Sequence, residues 1–236
     1  MVAAPGRVGN LRHCATVATV RDMDSDQLRS LRHEYAARGL AESDLAGDPV
    51  TMFGRWFDEA AEALGEPNAM VVSTVGADGA PSSRMVLLKG YDERGFVFYT
   101  NTSSRKGRDL GGEGRCALLF PWHDLERQVR VEGVAQPLSR EEVDAYFAVR
   151  PRESRLGAHA SHQSAVVDGR GELEAAYEAA EERFEGVDDV PAPEEWGGYR
   201  VEPEVVEFWQ GRRGRMHDRL VYRGTAEGWD VVRLAP

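Results

Sequence analysis

Between Ala69 and Leu138 the chain runs through "AMVVSTV", "SSRMVLLKG", "GFVFYT", "RCALLFPW" and "RQVRVEGVAQPL". Each segment is short, β-branched or aromatic, and bounded by Gly, Asp and Pro turns such as "GADGAP" and "YDERG". Such a pattern predicts five strands in close succession, an antiparallel sheet or barrel. Strand-like segments also close the chain: "YRVEPEVVEFWQ", "RMHDRLVYR" and "WDVVRLAP". Two helices interrupt. "SREEVDAYFAVR" has Ser139 and Glu142 at capping-box spacing, and "GELEAAYEAAEERFEG" puts Leu173, Tyr177, Ala180 and Phe184 on one face. Two helices precede the strands. "SDQLRSLRHEYAARG" has Ser25 as N-cap and Gly39 as stop; "VTMFGRWFDEAAEALG" has Phe53, Trp56, Phe57 and Leu64 as its apolar stripe. The fold class is α+β, built around a β barrel.

A length of 236 residues suits one domain with appendages. Residues 1–24 read as a flexible tail, with Met23 a second candidate start, and 25–236 as the single domain. The formal net charge of -11 argues against general nucleic-acid or membrane-surface binding, so any local basic cluster stands out. Cys14 and Cys116 form no disulfide framework, which makes a reducing, cytoplasmic compartment the expectation. No apolar run is long enough to span a bilayer.

The densest basic cluster is "WQGRRGRMHDR", Trp209 to Arg219. If "RMHDRLVYR" is a strand, alternation puts Arg215, His217 and Arg219 on one face and Met216, Asp218 and Leu220 on the other. Arg212 and Arg213, between Gly211 and Gly214, read as turn residues. The Arg-His-Arg face either meets an anion or lies in solvent beside local Glu side chains. "SSRMVLLKG" puts Arg84, Val86 and Leu88 on one face and Met85, Leu87 and Lys89 on the other. "YTNTSSRKGRDL" joins hydroxyls, helix N-terminal amides, Arg105 and Lys106 into a possible phosphate cradle, or into a capped helix with a solvated basic turn. "AYFAVRPRES" sets Tyr146 and Arg150 one helical turn apart, with Pro151 ending the helix and Ser154 beyond. There is no GxGxxG, P-loop, HExxH or GxSxG. His159 and His162 lack the carboxylate or thiol that would complete a metal set, and Cys116 reads as inert core.

Taken together, "RMVLLK", "FVFYTN", "SRK", "LLFPWHDLERQVRVEG", "YFAVRPRES", "LGAHASHQS", "VPAPEEWGGYRV", "EFWQG", "RMHDR" and "RLAP" resemble the pyridoxine (pyridoxamine) 5'-phosphate oxidase family, in the family's order from about Asn68 to Pro236; "LRHEY" also matches. The resemblance implies an antiparallel split β-barrel with peripheral helices, and a homodimer with FMN at its interface and a C-terminal dimerisation and active-site hairpin. It implies oxidation of pyridoxine or pyridoxamine 5'-phosphate to pyridoxal 5'-phosphate, with hydride passing from C4' to flavin N5 and O2 reduced to H2O2. Around FMN it places Arg84, Met85, Val86, Leu87, Leu88, Lys89, Tyr99, Thr100, Arg105, Lys106, Gln128, Gln163, Ser164, Trp209 and Arg219. It gives Lys89, Tyr146, Arg150 and Ser154 to the substrate phosphate, Arg215, Met216 and His217 to the substrate ring, and Arg32 and Tyr35 to a covering N-terminal segment. Arg215 and His217 are its catalytic pair, and no metal is implied.

Two positions depart from the family pattern: Met216 where many members have Leu, and Glu66 before Pro67 where many have Asp. The rival readings are a related split-barrel flavin oxidase on another ring, of phenazine type, a non-catalytic FMN or pyridoxal-phosphate binding protein, and a plain structural barrel. Lys89, Tyr146, Arg150 and Ser154 argue against the first, Arg215 and His217 against the second, and the clustered cations against the third.

Overall fold

The computed structural model describes residues 34–35 and 38–236. Cys14, Met23, Arg32 and most of the helix expected from Ser25 lie outside the described residues; Glu34, Tyr35, Arg38 and Gly39, at the end of that segment, are not helical. The chain divides at Glu34/Tyr35, and the compact unit Tyr35–Pro236 carries all the elements below.

Helix α1 (Pro49–Ala63) starts where Asp48 Oδ1 accepts from the Val50 and Thr51 amides at 2.9 and 2.8 Å, with Pro49 in the first turn. Its buried stripe is Met52, Phe53, Trp56 and Ala60. The Phe53 ring meets Phe57, Tyr91, Phe96, Phe120 and Trp122 at centroid distances between 4.8 and 5.8 Å. Removing such a ring costs roughly 3–5 kcal/mol.

The strands are β1 (Ala69–Val75), β2 (Pro81–Leu87), β3 (Gly90–Asp92), β4 (Gly95–Asn101), β5 (Arg115–Trp122), β6 (Arg127–Pro137), β7 (Trp196–Gln210), β8 (Asp218–Thr225) and β9 (Gly228–Arg233). They form one antiparallel sheet in the order β2-β1-β5-β6-β7-β4-β3, with β8 on β7 and β9 on β8. One edge of β7 pairs with β6; the other is shared between β4, along Trp196–Val201, and β8, along Val205–Gln210. The sheet thus curls into a half-barrel around a core that includes Met70, Val72, Phe98, Leu118, Val131, Val206, Phe208 and Leu220. The β6–β7 register shifts at Glu132/Gly133, where Gly133 lies so close to the Glu202 carbonyl that no Cβ fits. The expected antiparallel split barrel is what the strands build.

Among the described residues, four more helices lie around the sheet: α2 (Arg105–Leu110), α3 (Arg140–Ala148), α4 (Arg152–Ala160) and α5 (Arg170–Arg183). The capping box at α3 forms as expected, Ser139 N donating to Glu142 Oε2 at 3.0 Å and Glu142 N to Ser139 Oγ at 3.2 Å. Pro151 does end α3, but it is also the N-cap residue of α4, a helix the sequence reading lacks. On α5, Tyr177, Ala180 and Phe184 turn inward, whereas Leu173 is 40% exposed, one turn beyond the small core of Leu156, Phe184 and Val190.

The strand expected from Arg215 begins only at Asp218. Gly214 (φ 65°) and Arg215 (φ 61°) are left-handed and lie in a short 3-10 turn, Arg213–Arg215. Strand alternation therefore does not place Arg215, His217 and Arg219 on one face.

Candidate active site

The first group of site residues surrounds Lys106, in the first turn of α2. Its ammonium is buried and donates to Thr100 Oγ1 at 2.9 Å and Gln163 Oε1 at 2.7 Å. These partners are neutral, and among the described residues no carboxylate pairs with it. Burial, and then the Arg84 charge, pushes Lys106 down from 10.5 to about 8. Arg84 arrives from β2 and donates to Thr74 Oγ1 and Ser82 Oγ, both at 2.7 Å. Burial holds the Arg84 guanidinium below its usual value; Asp109 opposes that shift and Arg105 adds to it. Ser164, left-handed at φ 73°, accepts from the Arg105 amide at 3.2 Å. What this segment offers an anion is side-chain cations rather than free helix amides: α2 has only six residues, and its Arg105 and Gly107 amides already donate to Ser164 and Ser104.

The second group lies where α3 meets the start of β7. The Tyr99 and Tyr146 rings stack at 3.8 Å and 11°. Arg150 Cζ sits 4.1 Å over the Trp196 ring, and its Nη1 is buried without a hydrogen-bond partner. Burial pushes its guanidinium down and the Tyr146 phenol up. A half-buried guanidinium on an aromatic face, with one buried donor unmet, has the chemistry to accept an anion. Ser154 is half-buried in α4 and Lys89 is exposed after β2; neither is hydrogen-bonded to this pair.

The third group is at the other end of β7. Trp209 is opposite Gln128 of β6 and Arg219 of β8, so these three side chains line one row across three strands. Arg219 is held by Glu207 at 2.7 and 3.0 Å, and Arg130 reaches the same carboxylate at 2.9 Å. Glu207 raises the Arg219 guanidinium. The His217 ring lies 4.6 Å from Trp209 and 5.3 Å from Tyr35, centroid to centroid. The Arg212 amide donates to His217 Nδ1 at 3.1 Å, so in the neutral ring the proton sits on Nε2. Arg212 Nη1 and Arg233 Nη1 also donate to Asp218, at 3.2 and 2.6 Å, and the Leu40 amide donates to it at 2.9 Å. Burial works to raise the Asp218 carboxyl, but these bonds outweigh it and hold it low. Arg212 is therefore not an incidental turn residue.

A family profile described as Pyridoxamine 5'-phosphate oxidase matches residues 57–184. A relative described as "Pyridoxine/pyridoxamine 5'-phosphate oxidase" from Nocardioides sp. is 67% identical over 210 residues, 89% of this chain and 98% of its own. The chain belongs to the pyridoxamine 5'-phosphate oxidase family.

A second profile, described as Pyridoxine 5'-phosphate oxidase C-terminal dimerisation region, matches residues 196–236. A relative with the same description as the first, from Rubrobacter xylanophilus, is 59% identical over 89% of this chain and 96% of its own. Among solved structures, PhzG from Burkholderia lata 383, in complex with tetrahydrophenazine-1-carboxylic acid, matches at a TM-score of 0.80 with 32% identity, covering 86% of this chain and 100% of that one.

Within this family member the residues singled out from sequence fall into place unevenly. Arg84, Thr100, Arg105, Lys106, Gln163 and Ser164 come together; so do Tyr99, Tyr146 and Arg150, and Gln128, Trp209 and Arg219, with Tyr35 and His217 against Trp209. Met85, Leu87 and Lys89 are exposed, Val86 is half-buried, and Leu88 gives its side chain to the core. Arg215 and Met216 are exposed on the turn before β8. Arg32 lies outside the described residues. The sequence reading missed Thr74, Asp109, Trp196, Glu207 and Asp218, whose partners all come from other elements. Cys116 is half-buried, and burial pushes its thiol up to about 12, as an inert residue requires. His159 Nε2 donates to the Pro191 carbonyl at 2.8 Å, and the described residues hold no metal-ligating cluster. No described helix is long and apolar enough to cross a membrane.

Proposed function

We propose that this chain is an FMN-dependent oxidase that converts pyridoxine 5'-phosphate and pyridoxamine 5'-phosphate into pyridoxal 5'-phosphate. The observation that carries the reading is the pair of separate cationic sites, a buried Lys106 and a half-buried Arg150, neither paired with a carboxylate among the described residues. Two phosphate esters, one on the cofactor and one on the substrate, account for both.

FMN fits the residues present. Lys106, Arg84 and Arg105 would hold its phosphate, and Gln128, Trp209 and Arg219 would line its neighbourhood. The chemistry supplied by bound FMN is hydride acceptance from C4' of the substrate and return of the electron pair to dioxygen as hydrogen peroxide. Arg150 and Tyr146, with Lys89 and Ser154, grip the substrate phosphate. Arg215 and His217 hold the substrate ring, and His217 does so as a donor from Nε2, because Nδ1 is taken by the Arg212 amide. The amine substrate leaves the site as an imine that water converts to the aldehyde.

One substrate cannot touch both of its proposed anchors within one chain. Arg150 packs on Trp196 and His217 on Trp209, at opposite ends of β7. That stretch spans roughly 40 Å at about 3.3 Å per residue. Even a bent strand holds its ends beyond the reach of one phosphorylated pyridine. A homodimer resolves this, with one copy supplying the phosphate grip and its partner the ring clamp, as the matched dimerisation region suggests.

A second reading has one observation in its favour, the likeness to PhzG: an oxidase acting on a reduced phenazine acid. Purified protein decides between them. Flavin absorbance, then aldehyde and peroxide on aerobic addition of pyridoxine 5'-phosphate, is the expected result. Turnover of tetrahydrophenazine-1-carboxylic acid without aldehyde formation from the phosphate ester would overturn it in favour of the second.

A further inference from the structure

A polar side chain on the inward row of a barrel strand needs a reason to be there. On β1 that row is Met70, Val72 and Thr74, and Thr74 is 1% exposed. Its hydroxyl oxygen accepts from Arg84 Nη1 at 2.7 Å, and its proton goes to Asp109 Oδ2 at 2.6 Å. Asp109 is on α2, the helix that carries Arg105 and Lys106. One hydroxyl thus ties the strand bearing Arg84 to the helix bearing the other two cations.

The way Arg84 is held is informative. A guanidinium has five N–H donors. Nη1 gives one to Thr74 and a longer one to the Val72 carbonyl at 3.4 Å, and Nη2 gives one to Ser82 at 2.7 Å. The Nε–H and one Nη2–H are left over. A direct pair with Asp109 would have used the fork and cancelled the charge. The hydroxyl instead passes the carboxylate's pull through a neutral link, which fixes the guanidinium's orientation and leaves donors for something else.

We propose that Thr74 and Asp109 are positioning residues: their hydroxyl–carboxylate relay aims the remaining donors of Arg84 at the cofactor phosphate, beside Lys106. The inference rests on the FMN reading above and deepens it. A relay that acts through Arg84 on the phosphate alone would change the binding of ligands that carry the phosphate and leave the binding of those that lack it.

The test compares FMN with riboflavin, which lacks the phosphate, on the full-length chain freed of flavin. Affinities are read from flavin fluorescence. Thr74→Val keeps the shape and suits a strand, while Thr74→Ser keeps the hydroxyl. Thr74→Val should weaken FMN about tenfold, as expected for a hydrogen bond to a charged group, and leave riboflavin binding unchanged. Thr74→Ser should bind FMN like the wild type, and Asp109→Asn should fall between. Equal losses for FMN and riboflavin would make Thr74 merely structural and overturn the relay; so would a Thr74→Val chain with wild-type FMN affinity. A wild-type chain that bound riboflavin as tightly as FMN, or neither, would overturn the FMN phosphate reading itself and the relay with it.

Discussion

Replacing Lys106 by methionine removes a charge and keeps most of the apolar stem. Lys106 is 8% exposed, and burial pushes its ammonium down from 10.5 to about 8. In the unfolded chain it titrates near ~10.4. Between those values the unfolded chain holds more protons than the folded one, so the stability of the flavin-free protein rises with pH through that window. Below about pH 8 the whole penalty is present, about 3 kcal/mol, and about 2 kcal/mol of it is relieved between pH 7 and pH 9.5. Urea unfolding of flavin-free wild type and Lys106→Met at those two pH values measures this directly. Other groups titrate in both proteins and cancel in the difference. The wild type should gain about 2 kcal/mol more than the variant over that range. At pH 7 the variant escapes about 3 kcal/mol of desolvation and forgoes two hydrogen bonds from a charged donor, to Thr100 and Gln163, of about 1.5 kcal/mol each. Its stability at pH 7 should therefore stay within about 1 kcal/mol of the wild type, while FMN binds more weakly. Identical pH slopes in the two proteins would refute the reasoning, because they would mean the Lys106 charge is not desolvated on folding.

Two further substitutions probe the other groups. Arg150→Met should raise KM for the phosphorylated substrate about a hundredfold, with kcat changed only a few-fold and FMN retained, in steady-state assays of peroxide release. Glu207→Gln should leave Arg219 and Arg130 facing each other; with both arginines partly exposed, a loss of about 2 kcal/mol in urea unfolding is expected.

Much of the barrel was legible because its strands advertise themselves. "GFVFYT" and "RCALLFPW" have the residue types that a pleated, half-buried surface selects, with turn residues at their ends. The Ser139–Glu142 box is a local device, and it forms as its spacing promises. The turn before β8 was not legible in the same way. "RMHDRLVYR" alternates well enough to pass for a strand, but Gly214 and Arg215 in left-handed conformation delay the strand to Asp218. From sequence Arg212 reads only as a turn residue, because its partners, Asp218 and the His217 ring, become neighbours only after the turn closes. Helix α4 was hidden because a proline that stops one helix also suits the start of another. Thr74 carried a faint signal: it shares parity with Met70 and Val72 yet is polar. Glu207 carried none, since its two arginines come from the strands on either side.

Strand β7 gives the molecule a single scale against which its functional parts are set. Trp196 underlies Arg150, Glu207 seats Arg219, Trp209 backs His217, and Val206 and Phe208 belong to the core. Side chains change faces with every residue, so one amino acid gained or lost between Pro203 and Gln210 would exchange the two sets. Trp209 would swing inward, Phe208 outward, and the Glu207 carboxylate would be carried away from both arginines. Length changes in this strand therefore have no mild versions: the Glu207–Arg219 pair, the Trp209–His217 contact and the core would fail in the same event. The exposed stretch 165–169, past Gln163 and Ser164, has no such coupling to the strand, and there the chain has latitude to vary.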